Sequence, residues 1–406
     1  MTIPKSSSKL IPILLLLMTI ISISPLWHYF LTVNGNIISL LSFIIIFFLK
    51  DRIFYINKKY FVWSLIVILG SFFPAMYWLE YRFLLIPIYL ITGIYVISKL
   101  TIREIMSFIN LSTIFLFTLL VGAFIGVIYV YFGGESILQF EGIHGNKYQF
   151  YLTTLSTVSV GNLFRPAGIL DEPGALSFFM CFVAALRHKV GANKKTTWIL
   201  LVMGFITGSV AHLIYTTFHL LEEVKTNEKI SKWIIRFILI LSLILILGII
   251  PGVYDILSTF LFARFYPENI NNLGMDRLIP FLNAIELIDI KTFFVGVHPD
   301  CTFSRPGCDD LGVRNFGYNP LTLLVGWGVF LSFPYYLALF YLFFMGILKF
   351  NYVFLGIFIL LLQRPYIMSY GYSMFILLTI LIVTGLFFNR RDRKINKKSN
   401  IFLNYD

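Results

Sequence analysis

Long apolar segments recur along the whole chain and alternate with short polar ones. The apolar segments lie at 10–30, 36–49, 60–79, 82–98, 108–132, 173–187, 197–221, 233–251, 319–348, 352–369 and 371–388. Several are as long as the roughly 20 residues that cross a bilayer as a helix. Segments in lipid must be helical, because an unpaired backbone amide in hydrocarbon costs several kcal/mol. The pattern therefore predicts an all-α polytopic membrane protein in which residues 1–406 form one integral membrane domain.

The basic residues indicate how this bundle is oriented. The chain carries a net charge of +12, but most lysines and arginines cluster in short loops at alternate helix ends, as the positive-inside rule requires of cytoplasmic loops. This placement argues against nucleic acid as the partner. The lysines before residue 10 and the basic tail at 389–406 predict that both termini are cytoplasmic. The first apolar segment is expected to be a span, because no small-residue cleavage site follows it.

Two cytoplasmic termini require an even number of spans, whereas the pattern has eleven apolar segments. The segment 197–221 contains Gly204, Thr207, Gly208 and Ser209, which together allow the chain to break and return. We expect two short helices there, which gives twelve spans. The alternative is one straight helix at 197–221, in which case another apolar segment has been counted wrongly as a span.

Two long segments then face outward, and they hold more than half of the acidic residues. Residues 133–172 form an outer loop that leads into a re-entrant bend, and 251–318 form a large periplasmic loop with short helices. The second loop is expected to contain an amphipathic helix with one apolar face, formed by Leu278, Phe281, Leu282, Ile285 and Ile288. Cys301 and Cys308 would close a disulfide in an oxidising compartment, or remain two thiols.

The bend is the most unusual stretch, because charged residues and backbone breakers stand directly before an apolar run. Glu172 precedes Pro173, and proline favours the first helical position, so Glu172 is expected to be the N-cap of a helix running to Arg187. That helix would be about 22 Å long, against a hydrocarbon core of about 30 Å, which places Glu172 in a recess. Arg165 would share the recess. An intramembrane ion pair indicates function, although a structural cap with a salt bridge would give the same pattern.

The outer arginines indicate an anionic substrate. A guanidinium binds phosphate or pyrophosphate oxygens bidentately and keeps its charge when desolvated. The candidates are Arg165, Arg277, Arg305 and Arg314. Glu172 or His298 would act as the general base. Glycine-rich phosphate loops, HExxH and Asp-x-Asp pairs do not occur in the sequence, so we expect neither a metal nor a cofactor.

These features resemble the O-antigen polymerase (Wzy) family and its relatives, the O-antigen ligases. The resemblance lies in the number of spans, in R-P-x-G-x-x-x-E-P-G at Arg165–Gly174, in TGS at Thr207–Ser209, in residues 277–296 and in NPLTLLVGWGV from Asn319. It implies a metal-independent glycosyltransferase of the bacterial inner membrane with its site facing the periplasm. Its substrates would be oligosaccharide repeat units on undecaprenyl pyrophosphate, and a chain-length regulator protein would be a partner besides membrane lipid.

The resemblance also implies roles for individual residues. Arg165 and Arg277 match the outer-loop arginines of the family and would hold the pyrophosphate. Glu172 matches the acid of the Glu-Pro box and would accept the proton of the attacking hydroxyl.

Two positions depart from the pattern of the relatives. Tyr318 stands where ligases tend to have a histidine, which favours polymerase over ligase. Val210 stands where relatives often have an arginine, which leaves Arg305 or Arg314 to supply the missing cation. The alternatives are therefore a ligase that transfers the finished chain to lipid A core and, more distantly, a flippase or transporter of lipid-linked oligosaccharide.

Overall fold

A computed structural model describes most of the chain. The described residues are 7–31, 41, 44–46, 48–49, 58–142, 147–157, 164–226, 278–298, 301, 308, 316–317, 319–365 and 370–383. Outside them lie the predicted span at 233–251, the tail at 389–406 that the sequence predicts to be cytoplasmic, and Arg277, Arg305 and Arg314.

The described part is mostly helical. The helices are α1 (Ser7–Ile23), α2 (Pro25–Leu31), α3 (Lys58–Trp78), α4 (Arg82–Lys99), α5 (Ile102–Tyr131), α6 (Pro173–Lys189), α7 (Lys194–Met203), α8 (Val210–Thr226), α9 (Ile290–Val295), α10 (Thr322–Leu348), α11 (Tyr352–Gln363) and α12 (Tyr370–Val383). Two of them, α5 and α10, are long and apolar enough by length and composition to cross a membrane. Other apolar helical stretches, such as Leu10–Ile23 and Tyr352–Gln363, are shorter.

Helix α6 lies at the centre of the bundle. Every residue from Ala175 to Arg187 is buried, and α5, α7, α8, α11 and α12 all pack against it. A helix that is apolar on all sides is stable only when other helices or lipid cover it on all sides. Its bounds agree with the segment predicted at 173–187, and Glu172 is the N-cap residue as predicted.

The segment predicted to break in two does so. Helix α7 ends at Met203, a short 3₁₀ turn follows, and Gly208 adopts a left-handed conformation with φ of 56° before α8 begins. Leu201 and His212 touch near the turn, and the side chains of Lys194 and Glu223 meet at the far ends. Contacts at both ends mean that α7 and α8 form an antiparallel hairpin.

Charge separates the two ends of the bundle. One end, which we call the basic end, contains the last turn of α6 and the outer ends of α7, α8 and α10, and it carries Arg187, His188, Lys189, Lys194, Lys225 and Lys349. Lys225 donates there to the carbonyls of Lys349 and Phe350, which directly follow α10. Glu172 lies at the opposite end of α6. At 1.5 Å per residue, the 17 residues of α6 separate these ends by about 25 Å.

The apolar pattern predicted an all-α fold, but a three-stranded antiparallel sheet precedes α6. Its strands are β1 (Leu138–Glu141), β2 (Lys147–Tyr151) and β3 (Thr154–Thr157). The backbone of Leu155 in β3 exchanges hydrogen bonds with Ala167 and Gly168. The hydropathy pattern did not indicate the sheet, because its strands are short and alternate between apolar and polar residues. It holds the bend that carries Arg165.

Prolines and a glycine explain where three predicted spans differ from the helices. Ser24 and Pro25 divide the segment at 10–30 into α1 and α2. The segment at 352–369 ends at Gln363, because Pro365 disfavours a helical conformation at Arg364, which is extended with φ of −146°. The segment at 319–348 contains a break at Gly328, where φ is 73°.

The second outer loop is helical at 278–286, as the sequence predicted. Leu278, Leu282 and Ile285 are 46–49% exposed, whereas Ala284 is fully buried. Ala284 packs with Cys301 and Cys308, and Ile288 packs against the same cluster. These two cysteines form a disulfide with their Cα atoms 5.4 Å apart. A small side chain faces this cluster because the helix lies close to it.

Gly328 lets α9 approach α10 closely, because a side chain there would collide with the carbonyl of Phe294. We expect Gly328→Ala to lower stability by about 3 kcal/mol or more, since strain from positive φ and a backbone collision add. Gly133→Ala is the matched control: φ is +82° there, but nothing lies within 4 Å of the added atom. It should cost about 1 kcal/mol. Thermal unfolding in detergent measures both, and equal losses would contradict the close approach.

Candidate functional site

An ion pair lies at the buried start of α6. The carboxylate of Glu172 contacts the guanidinium of Arg364, whose side chain is only 19% exposed, and the glutamate side chain is 28% exposed. The side chain of Glu172 makes no capping hydrogen bond to its own helix. The carboxylate therefore points to the cation that follows α11 rather than to the amides that the sequence predicted it to cap.

The approach of Arg364 depends on Gly174. A Cβ atom at Gly174 would lie 3.2 Å from Nη1 of Arg364 and 3.5 Å from Oε1 of Glu172. The contact with Nη1 is tight, so a side chain at this position would shift the guanidinium by a few tenths of an ångström, whereas the contact with Oε1 is an ordinary van der Waals distance. The glycine of the Glu-Pro-Gly sequence thus leaves space for the ion pair.

A second carboxylate, Asp171, lies beside the first. Its Oδ1 accepts a hydrogen bond of 2.9 Å from the hydroxyl of Tyr372, at the start of α12. Burial raises the pKa of Asp171 to about 6, although the Tyr372 hydroxyl and the charge of Arg364 both act to lower it. A carboxyl group with such a pKa exchanges its proton close to neutral pH, as a general base requires.

Arg165 lies at the same end of the bundle, against the break between α7 and α8. Its Nε donates to the carbonyl of Thr207 at 3.1 Å, and its Nη2 lies 3.5 Å from the carbonyl of Gly208. These carbonyls are exposed to a donor because the helix stops there. The structure thus joins two of the stretches singled out in the sequence, the bend at 164–172 and the TGS at Thr207–Ser209.

The remaining predicted residues lie elsewhere or outside the described part. His298 follows α9 and meets the ring of Trp78 edge-on, with centroids 5.4 Å apart. Trp78 also donates to the carbonyl of Gly296 at 3.3 Å. These contacts place His298 against the end of α3. Asn319, at the start of NPLTLLVGWGV, donates to the carbonyls of Pro280 and Phe316 and so ties the second outer loop to α10.

Sequence reasoning missed Arg364 and Tyr372. Both lay inside segments interpreted as plain spans, 352–369 and 371–388. The signal was an arginine followed directly by proline within an apolar run, the same pair as Arg165–Pro166. An intramembrane arginine next to a helix breaker is a functional candidate by default.

We expect strong coupling between Glu172 and Arg364, because removal of one partner leaves a partly buried charge unpaired. A double-mutant cycle with Glu172→Gln and Arg364→Gln should give a coupling of about 2 kcal/mol in unfolding free energy. The control is Glu80 with Arg82, a bidentate pair of similar exposure whose members are two residues apart. These neighbours remain close in the unfolded chain, so the control should give only about 0.5 kcal/mol. Similar values for the two pairs would show that the Glu172 pair adds no more to folding than a local ion pair.

The raised pKa of Asp171 predicts a pH dependence of stability. The folded protein holds this proton more tightly than the unfolded chain does, so the contribution of Asp171 is complete below about pH 4 and is lost as pH rises to about 6. Relative to wild type, Asp171→Asn should become more stable across that window by about 1–2 kcal/mol. Asp289→Asn is the control: a hydrogen bond from the Thr292 amide lowers the pKa of Asp289, so this variant should lose stability relative to wild type as pH rises. If the difference in unfolding free energy between Asp171→Asn and wild type did not change between pH 4 and 7, the raised pKa of Asp171 would be contradicted.

No protein-family model, curated protein or solved structure matches the chain. The residues and their geometry therefore carry the functional argument.

Proposed function

We propose that this chain is a polytopic membrane glycosyltransferase of the O-antigen polymerase type. It would transfer a growing glycan from undecaprenyl pyrophosphate to a new lipid-linked repeat unit, on the periplasmic side of the bacterial inner membrane. The observation that carries the proposal is the partly buried group formed by Asp171, Glu172, Arg364 and Tyr372 at the start of the central helix.

The proposed orientation follows from the charges at the two ends of the bundle. The basic end would face the cytoplasm, as the positive-inside rule requires, and Glu172 would face the periplasm. Ten described helices, α1, α3–α8 and α10–α12, together with the apolar segments at 36–49 and 233–251, would supply twelve spans, with both termini cytoplasmic. The disulfide between Cys301 and Cys308 is compatible with an oxidising periplasmic compartment.

The depth of the ion pair supports a substrate that enters from lipid. The length of α6 places Glu172 about 25 Å from the basic end, which is less than the hydrocarbon thickness of about 30 Å. The pyrophosphate of a polyprenyl lipid lies at this depth, next to its own apolar tail. Guanidinium groups suit it because they remain charged where an ammonium group would lose its proton.

The reaction needs a proton acceptor and a stabilised leaving group. The acceptor hydroxyl would attack the anomeric carbon of the donor, and the bond from that carbon to the pyrophosphate oxygen would break. Asp171 would take the hydroxyl proton, since its raised pKa makes it a stronger base than an ordinary aspartate. Arg364 and Arg165 would neutralise the pyrophosphate as its negative charge develops.

These roles differ from those that the sequence predicted. Glu172 would position Arg364 rather than act as the base, because its carboxylate is already engaged by the guanidinium. His298 remains a second candidate for the base, and Arg277, Arg305 and Arg314 remain candidate ligands of the pyrophosphate. The site would need no metal or cofactor, because its own cations would carry the charge of the leaving group.

The test is the length of the surface glycan in cells that carry single variants. Asp171→Asn and Arg364→Gln should each lower polymerisation by about 10²-fold or more, so that long chains disappear while the membrane level of the protein is unchanged. Glu80→Gln and Arg82→Gln change a similar ion pair outside the site and should preserve chain length. Normal chain length in both site variants would refute the site.

Deletion of the gene distinguishes the three functions. Loss of a polymerase leaves lipid A core with one repeat unit, and loss of a ligase leaves bare core. Loss of a flippase leaves lipid-linked units on the cytoplasmic leaflet. Only the first result agrees with the proposal, and the accompanying lipid-linked products identify the repeat unit.

A further inference from the structure

We propose that the basic end holds a divalent transition-metal site formed by His188, His219 and Glu223, suited to Zn²⁺ or Co²⁺. His188 lies in the last turn of α6, and His219 and Glu223 lie four residues apart on α8. One ligand atom from each of the three lies within 4.8 Å of the other two. This site is separate from the group around Glu172 and does not depend on the proposed reaction.

The spacing of the His188 and Glu223 ligand atoms fits a shared metal. Nδ1 of His188 lies 3.5 Å from Oε1 of Glu223, which is long for a hydrogen bond between charged groups. Two ligands with bonds of about 2.0–2.1 Å to a tetrahedral zinc lie about 3.4 Å apart. Residues four apart on a helix point to the same side, so His219 and Glu223 face His188 together.

The second, independent observation is a buried atom without a partner. His219 is 1% exposed, and its Nδ1 makes no hydrogen bond to any residue that the structure describes. Buried polar atoms are nearly always paired, and a bound ion can satisfy one that no protein group reaches. A histidine nitrogen with a free lone pair is available to bind a metal.

The other oxygen of Glu223 is held in the way that metal-binding carboxylates usually are. Lys194 donates to Oε2 at 2.7 Å, which leaves Oε1 directed at His188. Such an outer partner fixes the carboxylate and its orientation. The positive charge of Lys194 also repels the metal ion, so we expect this site to bind metal more weakly than one built from thiolates.

The ligand types decide which metals suit the site. Two imidazoles and one carboxylate are the ligands that Zn²⁺ and related divalent ions take, whereas Ca²⁺ and Mg²⁺ prefer oxygens alone. The side chain of His188 is 12% exposed, which gives the ion a path from solvent, and water would complete the tetrahedron. A bound ion would join the end of α6 to α8 and so fasten the α7–α8 hairpin to the central helix.

The experiment uses the full-length protein, purified in detergent with an affinity tag free of histidine and stripped with a chelator. Zn²⁺ binding is measured by competition with a chromogenic chelator, and Co²⁺ by its visible absorption, which reports tetrahedral geometry. Wild type should bind one ion, show a higher thermal midpoint with Zn²⁺, and show no shift with Mg²⁺. His188→Gln and His219→Gln should lose stoichiometric binding and the shift.

His212→Gln is the matched control, because His212 is a fully buried histidine on the same helix whose Nε2 bonds the carbonyl of Leu201. It should bind the ion as wild type does. If His219→Gln fails to fold, His188→Gln decides the test, since His188 lies nearer to solvent. Absence of Zn²⁺ binding by wild type, or equal binding by wild type and His188→Gln, would overturn the proposal and leave the cluster as an ion-pair network with Lys194.

Discussion

A carboxylate at the start of a helix that is buried on every side must be neutralised, and this requirement governs one end of the molecule. Only 28% of the Glu172 side chain is exposed where α6 begins, because other helices pack against this helix. A buried charge costs several kcal/mol unless a partner of opposite sign lies against it. Arg364 is that partner. It reaches Glu172 because α11 ends early at a proline and because Gly174 leaves room.

Helix breaks gather around this ion pair. The turn at Ser24, the bend at 164–172, the left-handed Gly208 and the extended Arg364 all meet at this end of α6. Irregular backbone at membrane depth is tolerated only where protein covers it or where it lines a cavity. The carbonyls of Thr207 and Gly208 accept hydrogen bonds from the guanidinium of Arg165, and the hydroxyl of Ser24 donates to the carbonyl of Ile169. Each break thus provides polar groups that the neighbouring segment satisfies.

The two ends of the bundle handle buried charge in different ways. At the Glu172 end the cations are guanidinium groups, and the acids lie on the loop that the three-stranded sheet holds. At the basic end the acids lie on α8, where Glu223 contacts Lys194 and His188. In the proposed polymerase the first arrangement acts on an anionic lipid. In our inference, the second arrangement binds a metal ion that joins the α7–α8 hairpin to α6.

The sequence by itself determined the helical character, the limits of α6, the N-cap position of Glu172 and the break in 197–221, because these depend on local hydropathy, proline and glycine. It did not determine the partner of Glu172: Arg364 is almost two hundred positions away, and nothing in local pattern pairs distant charges. It also missed the cluster of His188, His219 and Glu223, since His188 and His219 come from different helices. Only the packing of α6 against α8, α11 and α12 brought these groups together, because burial forces each charged atom to find a partner in space rather than in sequence.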